Sequence, residues 1–407
     1  MKSSLKEGGQ CVINKAYIPY KGYWSSPFCR WQGQLQNEHA VACAAATARK
    51  FFELRRLSPG VLDGLVLGTT IPQKQWFFAP PHFASQIGNE KIGGPLIAQA
   101  CATSAVSINY TANCIQMGTH QTILVATCDR CSNCPNILWP NTRGVGGKPD
   151  FESWMVDGFE MDPVAEVNAL KTAENVAKEH GVTKAESDAM ALNRYLKYVE
   201  SLANNRDFQK RYMIPVEVRL SKKETLLVEE DEGITPCTEE GLARLKPVLP
   251  DGILSFGAQT HPADGNAGMI VTTRERAAEF SADKGITIQI LSYGYARAKK
   301  AHMAAAVTPC AEMALKNAGI KVFDLGAVKT HNPFTVNDVV MGKLMGIDER
   351  IFNNYGSSLI FGHPQGPTGM RLTIELIEEL VMKGGGYGLF AGCAAGDTAA
   401  ALVVKVN

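Results

Sequence analysis

Two residues combine a reactive side chain with neighbours that leave it room to react. Cys101 lies in the run QACATSA, where small residues flank the thiol and allow a sharp turn beside a substrate. A helix beginning there would direct its N–H groups at the sulfur and lower the thiol pKa below the roughly 8.5 of free cysteine. His363 lies in GHPQGPTG, a glycine- and proline-rich loop that would hold an imidazole as a general base or oxyanion donor. The alternatives are an inert packing cysteine and a surface turn histidine.

Two further residues follow apolar runs of strand type. Cys393, in GCAAGD, could act as a second thiol in acid–base work, or could only pack. His331, in THNPFT, follows the run KVFDLGAV and could donate a hydrogen bond into the same site, or could be an ordinary loop residue. We expect both to lie at strand ends near Cys101.

A run of three cysteines raises the question of a metal. Cys128, Cys131 and Cys134 have CxxCxxC spacing, but no fourth thiolate follows at the spacing of an iron–sulfur protein. A loop after a strand is the favoured interpretation, and we expect no metal site.

Strands alternate with helical stretches in two regions, up to about residue 135 and from about 285, which indicates an α/β fold with a buried sheet. The expected strands cover 61–68, 119–128, 286–296, 321–328, 387–393 and 400–406. The charged segment between the regions looks like an insertion, with helix over 173–203 broken at Gly181. Its acidic run 229–232 is expected to be a solvated face.

An internal echo links the two regions. GGPLI at 93–97 and GSSLI at 356–360 each precede a helical stretch, a glycine, and a strand that ends in Cys128 or Cys393. The echo predicts a duplicated fold. It puts Cys101 and His363 at matching places, after a strand and before a helix. Two halves packed about a pseudo-twofold axis would bring those side chains face to face.

Composition excludes several classes of protein. The 407 residues are 45% hydrophobic and 20% charged, which is globular and rules out disordered, collagen and coiled-coil chains. The net charge of +1 provides no drive toward nucleic acid, and no apolar run reaches the roughly 18 residues of a membrane helix. The run MKSSLKEGGQ lacks the core of a signal peptide, so we expect a cytoplasmic protein with eleven reduced cysteines.

Taken together, these motifs resemble the thiolase superfamily over nearly the whole chain. QACATSA is similar to its nucleophilic-cysteine motif, GHPQGPTG to its histidine motif, and GCAAGD to its C-terminal cysteine motif. The segment GAQTHPADG resembles the one that crosses the pantetheine of coenzyme A, with Thr260 in place of the usual serine and Ala258 close by. The histidine-first HNPF motif at His331 resembles the sterol-carrier-protein-type branch. Ala395 replaces a glycine whose N–H helps form an oxyanion hole; alanine keeps that N–H but restricts φ.

The resemblance implies a fold and its division. It implies the thiolase fold: duplicated mixed-sheet α/β halves in a layered αβαβα arrangement with an inserted loop domain. Residues 1–135 would form the N-terminal half, completed by about 250–280. The coenzyme-A-binding insertion would cover 136–249, and the C-terminal half 281–407.

The resemblance also implies an acyltransferase. It would cleave a 3-oxoacyl-CoA with coenzyme A, or run the reverse Claisen condensation, through an acyl-cysteine at Cys101. His363 would take the thiol proton, Cys393 would act on the enolate, His331 with His363 would bind the enolate oxygen, and the N–H groups of Cys101 and Ala395 would form a second hole. Coenzyme A would be a substrate held near Thr260 and Ala258, with no permanent cofactor.

The expected metabolic role is β-oxidation, or the metabolism of fatty or aromatic acids. The expected oligomer is a homodimer or tetramer. One alternative is a thiolase subunit that works with a small zinc-ribbon/OB-fold partner on bulky or aromatic substrates. Others are a condensing enzyme of the same fold, which Cys393 disfavours, and a non-catalytic acyl-CoA-binding or lipid-transfer protein. No nucleic acid or membrane partner is expected.

Overall fold

The computed structural model describes residues 13–407, so the N-terminal run MKSSLKEGGQ lies outside the described residues. The strands are β1 Tyr17–Ile18, β2 Tyr23–Ser25, β3 Cys29–Arg30, β4 Gly64–Gly68, β5 Leu96–Ile97, β6 Thr122–Arg130, β7 Asn136–Trp139, β8 Asp150–Ser153, β9 Val216–Arg219, β10 Thr225–Val228, β11 Ala263–Thr272, β12 Ile288–Arg297, β13 Leu325–His331, β14 Gly386–Ala394 and β15 Thr398–Val406. The helices are α1 Ala40–Arg55, α2 Ala79–Gln86, α3 Thr103–Met117, α4 Trp154–Glu160, α5 Ala169–Glu179, α6 Lys184–Ser201, α7 Ala203–Lys210, α8 Glu239–Arg244, α9 Arg274–Phe280, α10 Val307–Ala318, α11 Thr335–Met345, α12 Ser358–Phe361 and α13 Gly366–Met382.

One mixed sheet runs through both halves of the chain. Its strand order is β13-β14-β15-β12-β1-β11-β6-β4-β5, with β2 and β3 pairing with β11. In the first half β4 is parallel to β6, and β11 is antiparallel to β6. In the second half β13 is parallel to β14, and β15 is antiparallel to β14. The same strand pattern therefore occurs twice, as the internal echo predicts.

The two halves differ at one connection. A short turn, 395–397, joins β14 to β15, whereas residues 131–262 separate the corresponding strands β6 and β11. That long connection holds α4 to α8 and two separate two-stranded sheets, β7–β8 and β9–β10. Its predicted long helix is confirmed as α5 and α6, interrupted at Gly181 with φ +61°. The two small sheets were not predicted.

Helices α3 and α13 form the middle layer. They pack against each other, and each contacts strands of both halves. Helices α1 and α2 cover the outer face of the first half of the sheet, and α10 covers that of the second. Since every residue from Gly366 to Leu380 is buried, α13 is enclosed on all sides. The arrangement is the layered αβαβα fold. Within residues 13–407 no helix is long and apolar enough to cross a membrane.

The echo predicts the wrong secondary structure for one segment, GSSLI. This segment forms the one-turn helix α12 and not a strand, while GGPLI does include β5. A helical turn buries Leu359 and Phe361 while directing the Ser358 hydroxyl toward His331. His363 therefore follows a helix, and only Cys101 follows a strand.

The acidic run is only in part the solvated face that its composition indicates: Glu229 and Glu230 are exposed, but Asp231 is not. The Asp231 side chain is fully buried and accepts two hydrogen bonds from Arg371 of α13, at 2.6 and 2.7 Å. It also accepts from the N–H of Phe28 at 2.9 Å. A guanidinium enclosed in the middle layer requires a carboxylate partner, because an unpaired buried charge is costly. This pair fastens the insertion to α13.

We expect Asp231→Asn to lower the free energy of unfolding by about 3 kcal/mol, because it removes the carboxylate that binds the buried Arg371 cation through two hydrogen bonds and leaves only Glu375 as an acidic partner. Denaturant unfolding followed by circular dichroism measures the loss. Glu230→Gln in the same run is the matched control, since its pair with Arg206 is 71% exposed on the Glu230 side and should cost under about 1 kcal/mol. Equal losses in the two variants would contradict this assignment.

Candidate active site

Cys101 and His363 meet in the middle layer although 262 residues separate them. Cys101 lies between β5 and α3, and His363 lies between α12 and α13. Cys101 Sγ and His363 Nε2 are 3.1 Å apart, and both side chains are buried. This is the spacing that a thiol nucleophile and its base require.

The surroundings of Cys101 differ from the sequence expectation. Ala100 has φ +43°, so the chain turns sharply before the cysteine as its small neighbours indicate. Helix α3 begins only at Thr103, and burial raises the pKa of Cys101 to about 12, although N–H groups of Ala395 and of Cys101 itself act in the opposite sense. The prediction of a lowered thiol pKa is therefore wrong for the empty site, because removing the sulfur from water outweighs the nearby N–H dipoles.

His363 is also neutral in the empty site. Burial lowers the pKa of its imidazole to about 3. Its Nδ1 lies 2.6 Å from Thr368 Oγ1 in the first turn of α13. When Nδ1 carries the hydrogen and donates it to Thr368, Nε2 is left with a lone pair directed at Cys101. The pair is then a thiol hydrogen-bonded to an imidazole, ready for proton transfer.

Asp129 holds the histidine loop in place. Its Oδ2 accepts the N–H of Gly366 at 2.8 Å, and its Oδ1 accepts the N–H groups of Thr70 and Ile71. A Cβ at Gly366 would come within 2.8 Å of Asp129 Oδ2, so this close approach requires glycine. Burial raises the pKa of Asp129 to about 6, while these N–H donors lower it. The sequence analysis missed this role, because Asp129 lies inside the cysteine run that was examined only for metal.

His331, the last residue of β13, stacks on His363. The two ring centroids are 4.0 Å apart and the planes differ by 25°. His331 Nδ1 lies 2.8 Å from Ser358 Oγ, and Nε2 is buried without a protein partner. If Ser358 donates its hydroxyl hydrogen to Nδ1, Nε2 carries a hydrogen and is free to donate to a ligand. Burial and the neighbouring His363 hold the pKa of His331 well below its usual range.

A chain of hydrogen bonds connects His331 to the insertion. Ser358 Oγ accepts the N–H of Asn332 at 3.3 Å, and Asn332 Nδ2 donates to Asp338 Oδ2 at 2.7 Å. Arg194 of α6 donates to the same carboxylate at 2.7 Å. Each member is buried, so the chain fixes the orientation of the His331 ring.

Cys393 and Ala395 complete the cluster from the end of β14. Asn337 Nδ2 donates to Cys393 Sγ at 3.2 Å, while burial and the nearby Cys101 raise the pKa of Cys393 well above its usual range. The N–H of Ala395 lies near the Cys101 sulfur and acts to lower the pKa of that thiol. Ala395 is not among the residues with positive φ, so alanine is accommodated here without backbone strain.

Two cavities adjoin at the cluster. The reaction chamber, about 340 Å³, is bordered by Cys101, His363 and Ala395 and otherwise mainly by apolar side chains. A larger cavity, about 770 Å³, shares Gln259, Thr260 and Pro262 with it. Thr260 therefore lies where the two meet. Ala258, in contrast, is fully buried and borders neither cavity.

Cys101, His331 and His363 place their possible ligand atoms within 4.8 Å of one another. The Nδ1 atom of each of the two stacked rings already contacts a hydroxyl, Ser358 for His331 and Thr368 for His363, so the atoms left for a ligand are the two Nε2 atoms and the Cys101 sulfur. Among the described residues, the three cysteines of the CxxCxxC run do not form such a group.

The lowered pKa of His363 makes stability depend on pH. Its unfolded pKa is about 6.5 and its folded pKa about 3, so the unfolded chain binds more protons in that window and stability falls as pH falls. Between pH 7 and pH 5 this histidine should account for about 2 kcal/mol of lost unfolding free energy. We expect His363→Gln to lose that much less than the parent over this range, as measured by denaturant unfolding. The raised pKa of Asp129 changes the unfolding free energy in the opposite direction over this range, and it does so equally in parent and variant. If the unfolding free energies of the two proteins fell in parallel between pH 7 and pH 5, the assignment would be contradicted.

Comparison with known proteins gives the family. The description "Thiolase, N-terminal domain" matches residues 24–275, and "Thiolase, C-terminal domain" matches 285–406. An acetyl-CoA acetyltransferase of Yarrowia lipolytica is 26% identical over 399 residues, 97% of each chain. Human mitochondrial 3-ketoacyl-CoA thiolase is 25% identical over 391 residues, 93% of this chain and 96% of that one. The crystal structure of that human enzyme in complex with CoA superposes with a TM-score of 0.88 at 23% identity, covering 98% of this chain and all of the other. The chain belongs to the thiolase family.

Proposed function

We propose that this thiolase transfers acyl groups between coenzyme A thioesters, cleaving a 3-oxoacyl-CoA or forming one in reverse, through an acyl group on Cys101. The observation that carries the proposal is the 3.1 Å contact between Cys101 Sγ and His363 Nε2 at the floor of a chamber that adjoins a larger cavity. The named relatives, acetyl-CoA acetyltransferases and 3-ketoacyl-CoA thiolases, support the same reaction.

In the first step His363 removes the thiol proton as the sulfur attacks the keto carbon. Both groups are neutral beforehand, so proton transfer accompanies attack and a standing ion pair is not required. The oxygen of the keto group gains negative charge within reach of the N–H groups of Cys101 and Ala395. Cleavage of the carbon–carbon bond then leaves the acyl group on sulfur and an enolate on coenzyme A.

The enolate oxygen is the second charge to be stabilised. The stacked rings of His331 and His363 belong to one cluster with Cys101, and in each ring Nε2 is the nitrogen that no hydroxyl engages, which suits two donors to one oxygen. Removal of one such donor typically slows a reaction about 100- to 1000-fold. Cys393 then gives its proton to the enolate carbon and, as a thiolate held by Asn337, accepts the proton of the incoming coenzyme A thiol.

Coenzyme A would occupy the larger cavity. Arg30 and Trp31 lie at its border, and they could meet a phosphate and an adenine ring. The pantetheine would pass Gln259 and Thr260 into the reaction chamber. Because residues 233–245 supply much of the wall, this assignment gives the insertion 136–249 its role in binding coenzyme A.

The acyl group would face Phe159, Leu170 and Met303, which make the chamber wall apolar. An apolar wall favours fatty or aromatic acyl groups and is compatible with β-oxidation. The hairpin β7–β8 exposes Leu138, Trp139 and Phe151, which would suit contact with a second copy in a homo-oligomer or with a small partner subunit. The histidine at 331 supports the sterol-carrier-protein-type branch. The intact Cys101–His363 pair argues against a purely acyl-CoA-binding protein.

Cys101→Ser should abolish thiolysis of acetoacetyl-CoA and of longer 3-oxoacyl-CoAs, because the serine hydroxyl is a far weaker nucleophile than the thiol. In the parent, incubation with acyl-CoA followed by peptide mass spectrometry should find the acyl group on Cys101. Cys43→Ala, which removes a buried thiol outside the site, should leave turnover intact. Acylation of a different cysteine would overturn the proposal.

Cys393→Ala should block exchange of the α-protons of acetyl-CoA with deuterated water, since the group that moves that proton is missing. Nuclear magnetic resonance of the recovered thioester measures the exchange. Acylation of Cys101 by acyl-CoA should survive in this variant, because it uses His363. Exchange at the parental rate would remove Cys393 from the mechanism.

A further inference from the structure

Gln365 stands in the histidine loop with a strained backbone. Its φ of +58° and ψ of −101° lie outside the regions that side-chain-bearing residues favour, a conformation that costs about 1–3 kcal/mol. The loop is held in this state by Asp129, which accepts the N–H of Gly366, and by Ser104 of α3, which donates to the Gly366 carbonyl. Such strain persists only where the surroundings impose it, and here it directs the Gln365 side chain into the reaction chamber.

The Gln365 amide touches both members of the nucleophile pair. Its Oε1 lies 3.3 Å from Cys101 Sγ, within the range of a thiol hydrogen bond. The same sulfur lies 3.1 Å from His363 Nε2, and among the groups around that imidazole the Gln365 side chain is the one that raises its pKa. The residue is only 6% exposed, so water competes little for these contacts.

Proton transfer changes which partner the amide oxygen can serve. Before transfer the proton is on Sγ, and the thiol can donate to either His363 Nε2 or Gln365 Oε1. After transfer the proton is on Nε2, the sulfur no longer has a hydrogen, and only the imidazolium can donate to Oε1. Hydrogen bonds in which one partner is ionised are about twice as strong as neutral ones. The amide oxygen therefore stabilises the state after transfer more than the state before it.

We propose that Gln365 is a further catalytic residue, whose Oε1 accepts a hydrogen bond from the Cys101 thiol before reaction and then one from His363 once the proton has moved. In the step itself one S–H bond breaks and one N–H bond forms, and no other group is consumed. The inference rests on the proposed roles of Cys101 and His363. It adds a residue that the motif itself does not distinguish from an ordinary loop position.

Other ionisable groups also face this pair and stay in place when Gln365 is changed. They are His331 from β13, Cys393 from β14, Asp129 from β6 and His261 from the segment before β11. Comparing variants at Gln365 alone therefore isolates the contribution of its amide.

Gln365→Met tests the proposal, because methionine has a similar length and no amide oxygen. The readout is the rate of alkylation of Cys101 by iodoacetamide between pH 6 and pH 10, followed on the Cys101 peptide by mass spectrometry. We expect the alkylation rate at each pH to fall about 10- to 100-fold, which corresponds to the loss of one hydrogen bond to a charged group. We expect kcat to fall in parallel. Gln365→Glu keeps an acceptor oxygen, so its Cys101 should be alkylated at least about tenfold faster than that of the methionine variant.

Gln365→Gly separates the amide from the strain. Glycine adopts this backbone without cost yet lacks the amide, so it should be as slow as methionine, with melting temperatures checking that all variants fold. Parental alkylation in the methionine or glycine variant would overturn the role of Gln365. Failure of the parent itself to acylate Cys101 would instead speak against the proposed function, so the two failures are distinguishable.

Discussion

Cys101 Sγ and His363 Nε2 lie 3.1 Å apart with 262 residues between them, and the site depends on that distance because a proton must cross it. Neither half of the duplicated fold contains both groups. Each group precedes one of the two middle helices, Cys101 before α3 and His363 before α13, and these helices pack directly against each other. The packing of the middle layer thus determines the contact on which the chemistry rests.

Burial sets the electrostatics of that contact. With water excluded, the thiol and imidazole are both neutral in the empty site, and stabilisation of charge is left to fixed donors and acceptors. These are the N–H groups of Cys101 and Ala395, the stacked ring of His331, and the amide of Gln365. Two buried carboxylates, Asp129 and Asp338, hold the loops that carry these groups, and the pairs Arg194–Asp338 and Arg371–Asp231 fasten the insertion to the same framework.

The local sequence pattern was enough to predict much of the fold and to select the residues that could do chemistry. Apolar runs predicted the strands β4, β6, β12, β13, β14 and β15. Gly181 predicted the break between α5 and α6, and the echo predicted the duplicated fold. The four side chains singled out for chemistry, Cys101, His331, His363 and Cys393, lie in one buried cluster, of which Cys101 and His363 border the reaction chamber. Small flanking residues and glycine–proline loops identify such positions because reactive groups need space and rigid support.

What escaped prediction depends on contacts between distant parts of the chain. Asp231 looks solvated within four consecutive acidic residues, but its partner Arg371 lies 140 positions away. The raised pKa of Cys101 arises from burial, which the residues around position 101 do not reveal. The roles of Asp129 and Gln365 likewise exist only once β6, α3 and the histidine loop are packed together.

The most direct measurement is a crystal structure of the Cys393→Ala protein after exposure to an acyl-CoA, in which the acyl-enzyme should accumulate. The account predicts continuous density from Cys101 Sγ into the apolar chamber, with the thioester oxygen within hydrogen-bond distance of the N–H groups of Cys101 and Ala395. An acyl group on another residue, or a thioester oxygen turned away from both N–H groups, would contradict it.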